Sequence, residues 1–129
     1  MGLQDKKRLS LKRLLRSFQY ATQGLLYVIK HEQNMQIHLG VGAIVILFSF
    51  LLDIPTVHFL IVLLIIGIVF ALESVNTAIE RTIDLVTEEF HPIAKIAKDV
   101  AAGAVLIFSI FAAIIGLWIF IPPLLKLLQ

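Results

Sequence analysis

Residues 53–84 read DIPTVHFLIVLLIIGIVFALESVNTAIERTID. Nineteen residues separate Asp53 from Glu73, and His58 is the one titratable group among them. About 20 apolar residues cross a bilayer as a helix, so the stretch predicts a transmembrane span ending at Glu73. The helix then continues in polar form. Each residue turns about 100°, which puts Asn76 near −60°, Glu80 near −20° and Asp84 near +20° when Glu73 is the origin. Three carboxylates and an amide thus share one stripe about 16 Å long. Val75, Ile79 and Ile83 lie elsewhere on the wheel.

Two further apolar stretches, at about 35–52 and 93–121, flank this one. The whole chain has 129 residues, of which 59% are hydrophobic and 16% charged, and its mean hydropathy is +0.95. A soluble domain carries about 25% charged residues, and one this small has too little interior to hide so much apolar side chain. An ordinary soluble domain is excluded, and so is a disordered chain, which needs low hydrophobicity. The chain has no cysteine, which excludes disulfides, zinc–thiolate sites and thiol nucleophiles. The predicted fold is all-α and integral to a membrane, as a single domain over 1–129. An amphipathic surface helix at about 8–31 precedes three transmembrane helices at about 35–52, 56–84 (including a cytoplasmic extension) and 93–121, the last stopping before Pro122-Pro123. Gly40, Gly42 and Ala43 in the first span, and Ala101, Ala102, Gly103 and Ala104 in the third, permit close helix packing. One protomer of three short spans encloses little, so oligomerisation is expected.

The charge is arranged in blocks. Seven of the eleven basic residues (Lys6, Lys7, Arg8, Lys12, Arg13, Arg16, Lys30) lie in the first thirty positions, opposed there only by Asp5. Leu11, Leu15, Phe18, Leu25 and Ile29 recur among them at helical spacing, with Lys12, Arg13 and Arg16 on the other side. Such a helix lies in the headgroup plane and favours anionic lipid. With no soluble domain behind the leader, nucleic acid is not the expected partner. A signal peptide is not expected either, since no compact apolar core with a cleavage site follows the leader. The positive-inside rule places residues 1–30 in the cytoplasm, and three crossings return Arg81, Lys95 and Lys98 there and leave the C-terminus outside.

Six of the nine acids (Glu73, Glu80, Asp84, Glu88, Glu89, Asp99) fall between 73 and 99. Like charges stacked on one helix face repel, and a carboxylate beside hydrocarbon marks a functional site by default. Two chemistries suit the stripe: oxygen ligation of Mg²⁺, a hard cation, and general-base catalysis. Lys98 and Asp99 stand at the mouth of the third span, level with the stripe, and Glu32 enters the first span at that level. A lysine beside cation-holding carboxylates is a phosphate-binding arrangement. The sequence has neither a G-x-x-x-x-G-K-[ST] loop nor a glycine-rich kinase loop, so any nucleotide must bind helix side chains. A small non-enzymatic membrane subunit or ion-pathway component is the rival. It would carry acids through the spans, whereas these cluster at one interface.

Glu73-x-x-Asn76-x-Ala78-Ile79-Glu80, then Asp84, His91 and Ala97-Lys98-Asp99, resembles the signature of the prokaryotic diacylglycerol kinase family. Arg13, Tyr20, Gly24 and Glu32 also match, and the resemblance runs from about 13 to 121. Within the family, Ser74-Val75-Asn76-Thr77-Ala78-Ile79-Glu80 and Lys98-Asp99-Val100-Ala101-Ala102-Gly103-Ala104-Val105 look like the Gram-positive branch, whose members mainly phosphorylate undecaprenol. In the Gram-negative branch a serine usually follows the asparagine, and another replaces Ala102. The resemblance implies an ATP-dependent lipid kinase of the bacterial cell membrane, a homotrimer with active sites shared between neighbours. Its substrate would be undecaprenol, with diacylglycerol the alternative. Glu73 would be the general base and Asn76 would orient the reacting groups. Glu32 and Glu80 would hold the Mg²⁺ of ATP. Lys98 would neutralise phosphate charge, and Asp99, Glu89 and His91 would contact nucleotide. Arg13 and Tyr20 would close over ATP, and Glu73 and Ala102 would meet the lipid. Asp84 has no assigned role.

Overall fold

A computed structural model describes residues 10–129; the leader residues Lys6, Lys7 and Arg8, and the expected helix start near 8, lie outside the described residues. Four helices follow one another: α1 (Leu11–His31), α2 (Gln33–Leu51), α3 (Thr56–Val86) and α4 (Pro92–Leu127). The last three are long and apolar enough to cross a membrane. At 1.5 Å per residue α3 and α4 reach about 46 and 54 Å, against a hydrocarbon core of about 30 Å, so both project well beyond it.

The breaks have local causes. Glu32 alone is extended between α1 and α2 (φ −104°, ψ 115°). Gln36 Nε2 donates back to the carbonyls of Ile29 and Lys30 at 3.2 and 3.3 Å, satisfying acceptors that the end of α1 leaves open. Between α2 and α3 the backbone of Asp53 takes a left-handed φ of 46°, a conformation Asp tolerates better than most residues, and Pro55 then caps α3. At the other end of α3, Thr87 Oγ1 accepts from the Glu89 amide at 3.2 Å. His91 Nδ1 accepts from the Ile93 amide at 3.3 Å and Pro92 opens α4, where a missing N–H costs nothing. One expectation is corrected: α4 does not stop before Pro122-Pro123 but runs through both to Leu127. The proline ring already holds φ near the helical value, and the carbonyls it leaves free fall within the helix's last turns.

α3 is the central helix, packed most extensively against α4 and then α2, while α1 touches α2 and α3 lightly. At the turn end, Ile54, Val62 and Ile119 form an apolar cluster with Val45, Phe59 and Phe120. Gly42 is buried against Ile66, where a Cβ would sit in ordinary contact at 3.5 Å from the side chain, so the α2–α3 contact has room for a methyl group and little more. Between α2, α3 and α4 lies a cavity of about 660 Å³, lined by Val41, Val62, Ile66, Val69, Ala113 and Leu117 and reaching His38. The accessible surface is 10485 Å², well above the about 6,800 Å² expected of a soluble monomer of this mass. Leu64, Leu106, Ile107 and Trp118 are among the many large apolar side chains left exposed. The chain is a multi-pass membrane protein.

The Gly42 contact yields a stability prediction. Gly42→Ala fits and should leave unfolding in micelles unchanged or raise stability by up to about 1 kcal/mol. Gly42→Leu should lower it by about 1–3 kcal/mol through overpacking. Equal stability of the two variants in a denaturant titration would show that α2 and α3 do not meet there.

Candidate active site

Polarity in α3 collects at one end. Glu73, Asn76 and Thr77 are buried at 2%, 4% and 3% exposure. Glu80 is half-buried and Asp84 exposed. The four stripe residues therefore descend from a sealed interior to solvent along one helix face, as their angular spacing predicts. Asn76 Nδ2 donates to Glu80 Oε1 at 3.1 Å, which orders the middle of the stripe. Asn34 and His38 from α2 are the polar neighbours of Glu73, and Glu80 and Glu32 lie close enough to act on it electrostatically.

Three buried oxygens here have no partner: Glu73 Oε2, Asn76 Oδ1 and Thr77 Oγ1. Most other helical hydroxyls behave differently, Ser109 Oγ excepted. Ser49, Ser74 and Thr82 each donate to the carbonyl four residues back, at 2.8, 2.8 and 2.7 Å, the usual way a hydroxyl is satisfied inside an apolar helix. Buried acceptors left open are costly, and two together at a carboxylate suit a hydroxyl donor or a hard cation. The residues present thus fit a magnesium–nucleotide complex in donor type. Among the described residues, no group of three or more Asp, Glu or His side chains gathers into a metal cage.

Around this centre the charged side chains pair. Lys98 reaches across from α4 to Asp84 on α3, and Lys95 pairs with Asp99 one turn away on α4. Arg81 Nη2 donates to Glu32 Oε1 at 2.6 Å. The structure thus brings Glu80 and Glu32 within electrostatic reach of Glu73, with Asn76 bonded to Glu80 and Lys98 paired with Asp84 further along the stripe. Glu89 and His91 sit exposed on the short connection to α4, His91 with Nδ1 used as the helix cap. Arg13 and Tyr20 lie on α1, with Tyr20 exposed, and Ala102 faces outward from α4.

Asn34 and His38 carry no role in the sequence reading. Their spacing of four residues, one helix face, was the available signal. That reading assigned Thr77 no role beyond the motif, since a lone threonine in a helix is usually satisfied by its own backbone. Arg81 has no assigned partner there; in the structure its partner is Glu32, 49 positions away.

Comparison with known proteins matches this chain, over residues 19–120, to a family model described as prokaryotic diacylglycerol kinase. It is similar to the undecaprenol kinase of Bacillus subtilis, 44% identical over 117 residues, covering 91% of this chain and 95% of the relative. A diacylglycerol kinase of Synechocystis is 42% identical over 89% of this chain and 66% of its own length. One from Pseudomonas aeruginosa is 30% identical over 77% of this chain and 80% of its own.

The orphaned hydroxyl can be tested directly. Thr77→Val keeps the shape and removes the oxygen, so it should leave stability unchanged or raise it by about 1 kcal/mol, read by denaturant unfolding in micelles. A loss of more than about 1 kcal/mol would mean that the hydroxyl has a partner in the folded protein.

Proposed function

This chain belongs to the prokaryotic diacylglycerol kinase family, and on that premise we propose that it transfers the γ-phosphoryl group of ATP directly to the hydroxyl of undecaprenol. The observation that carries the reading is Glu73: a carboxylate 2% exposed, one oxygen unpartnered, beside His38, where the apolar cavity between the spans ends. A long polyprenyl chain suits that cavity, and its hydroxyl then meets Glu73. The Gram-positive pattern at Thr77 and Ala102, and the nearly coextensive relative from Bacillus subtilis, favour undecaprenol over diacylglycerol.

In this reading Glu73 Oε2 takes the proton of the lipid hydroxyl. The lipid oxygen forms a bond to the γ-phosphorus, the bond from that phosphorus to the β,γ-bridging oxygen breaks, and ADP leaves. Asn76 keeps Glu80 in place and presents Oδ1 to the reacting groups. Glu80 and Glu32 would hold Mg²⁺, which would neutralise phosphate charge. Lys98 leaves Asp84 to meet phosphate, which gives Asp84 the role of holding the lysine ready. Asp99, Glu89 and His91 contact the nucleotide from the α3–α4 connection, and Arg13 and Tyr20 close over it from α1. Positioning and charge neutralisation supply most of the rate in such transfers.

The proposed setting is a bacterial plasma membrane with the N-terminus inside and the C-terminus outside, as the basic residues require. α1 lies in the headgroup plane, basic side toward anionic lipid. A homotrimer completes the site, because one protomer leaves Ala102 and the α4 face uncovered.

The test is purified protein in nanodiscs with Mg²⁺ and labelled ATP, offered undecaprenol and diacylglycerol side by side. Faster labelling of undecaprenol is expected, and removal of Mg²⁺ should stop it. Labelling of neither lipid would refute the kinase reading, and preference for diacylglycerol would refute the substrate. Glu73→Gln should lower kcat by at least about 100-fold while nucleotide still binds. Glu80→Gln should instead raise the Mg²⁺ concentration needed.

A further inference from the structure

Arg81 stands off the carboxylate stripe, about 80° around α3 from Glu73, and the proposed chemistry makes no use of it. Yet it carries a long-range polar contact of the fold. Its Nη2 donates to Glu32 Oε1 at 2.6 Å, and its guanidinium stands 5.8 Å from the centre of the Tyr27 ring. That ring in turn stacks on His31 at 4.5 Å. Tyr27, His31 and Glu32 all belong to the last turn of α1 and the residue after it. One cation on α3 therefore grips the end of α1 twice, through a charge-assisted hydrogen bond and through an aromatic face.

The gripped residue is the hinge. Glu32 is the single extended residue between α1 and α2, so its φ and ψ set the angle at which α1 leaves the bundle. Val28 is the one buried residue of α1, and apolar packing does little to hold that angle. Gln36 ties the hinge from the α2 side; Arg81 ties it from α3. Arginine suits the task, because its planar fork binds a carboxylate and lies against a ring at once.

We propose that Arg81 is a positioning residue, latching the α1–α2 hinge to α3 through Glu32 and Tyr27 and so setting the pose of Glu32 and of α1 toward the nucleotide phosphates. This rests on the proposed lipid kinase reading. Arg81 bonds Oε1 of Glu32 and leaves the second oxygen for the nucleotide's cation. A carboxylate ligand held by an outer partner is pre-oriented, and loss of such a partner lowers metal affinity about 10–100-fold.

The test is hydrogen exchange on the full chain in nanodiscs without nucleotide, paired with steady-state kinetics in Mg-ATP. In Arg81→Ala, residues 11–36 should exchange at least about tenfold faster through local opening, with α4 unchanged. The unchanged α4 also verifies that the variant is folded. KM for Mg-ATP should rise about tenfold, with kcat held within about twofold, as expected when ground-state and transition-state binding are lost together. Arg81→Lys should recover part of both effects, and Tyr27→Leu, which keeps the ion pair, should loosen α1 less. Unchanged exchange over residues 11–36 in Arg81→Ala overturns the proposal, as does a loosened α1 with an unchanged KM. Should the wild-type chain phosphorylate no lipid while Arg81→Ala still loosens α1, the kinase reading fails and the hinge latch stands.

Discussion

A carboxylate sealed inside a membrane helix bundle is the constraint on which the rest of this protein turns. Glu73 is as buried as any side chain in the molecule, and one of its oxygens has no partner. Taking an ionisable group out of water is expensive unless the surroundings compensate. Asn34 and His38 on α2 are its polar neighbours, so α2 must pack on α3 at this level. Gly42, one turn further into the span from His38, lies at the contact with Ile66 of α3, where a small residue is accommodated. The cost of burying Glu73 is thus met by side chains whose placement the apolar part of the bundle determines.

The apolar part works differently from a soluble core. Few residues are buried, and many large aliphatic side chains face outward. With lipid as solvent, such exposure carries no hydrophobic penalty, and association relies on packing and on satisfying polar groups internally. The division along α3 follows. Toward the turn, Val62 packs with Ile54 and Ile119 in a cluster that needs no polar group. Toward the other end, Glu73, Asn76, Glu80 and Asp84 grade from sealed to exposed. One helix thereby carries a long apolar wall and, at its end, a buried carboxylate.

Much of this was legible in residues 53–84, because helix periodicity is rigid: once a span is recognised by its length, angles on the wheel follow from arithmetic. The shared face of Glu73, Asn76, Glu80 and Asp84 needed no tertiary information. What escaped the sequence depends on where chain segments return in space. That Lys98 meets Asp84 is decided by how α3 and α4 pack, and that Arg81 meets Glu32 by how α3 packs on the junction of α1 and α2; no local pattern encodes either. The run of α4 through Pro122-Pro123 escaped for a different reason. Proline is read as a helix stop because it forfeits hydrogen bonds, yet the two prolines here forfeit only those to the carbonyls of Trp118 and Ile119 in a helix of 36 residues.

The charged pairs outside the sealed centre share a logic. Asp84, Asp99 and Glu32 each hold a cation, and each pair is partly exposed, where an ion pair contributes little to stability. Weak pairs of this kind are exchangeable: a lysine that loses little by leaving an exposed aspartate can move to a phosphate carrying more charge. The Arg81–Glu32 pair differs in one respect, since Glu32 is the more buried partner at 18% side-chain exposure and is also the backbone hinge. In the proposed reading the same carboxylate would fix the geometry of the chain and present its second oxygen to the cation. A two-oxygen acid held through one oxygen meets both demands, where an amide or a hydroxyl at that position would meet only one.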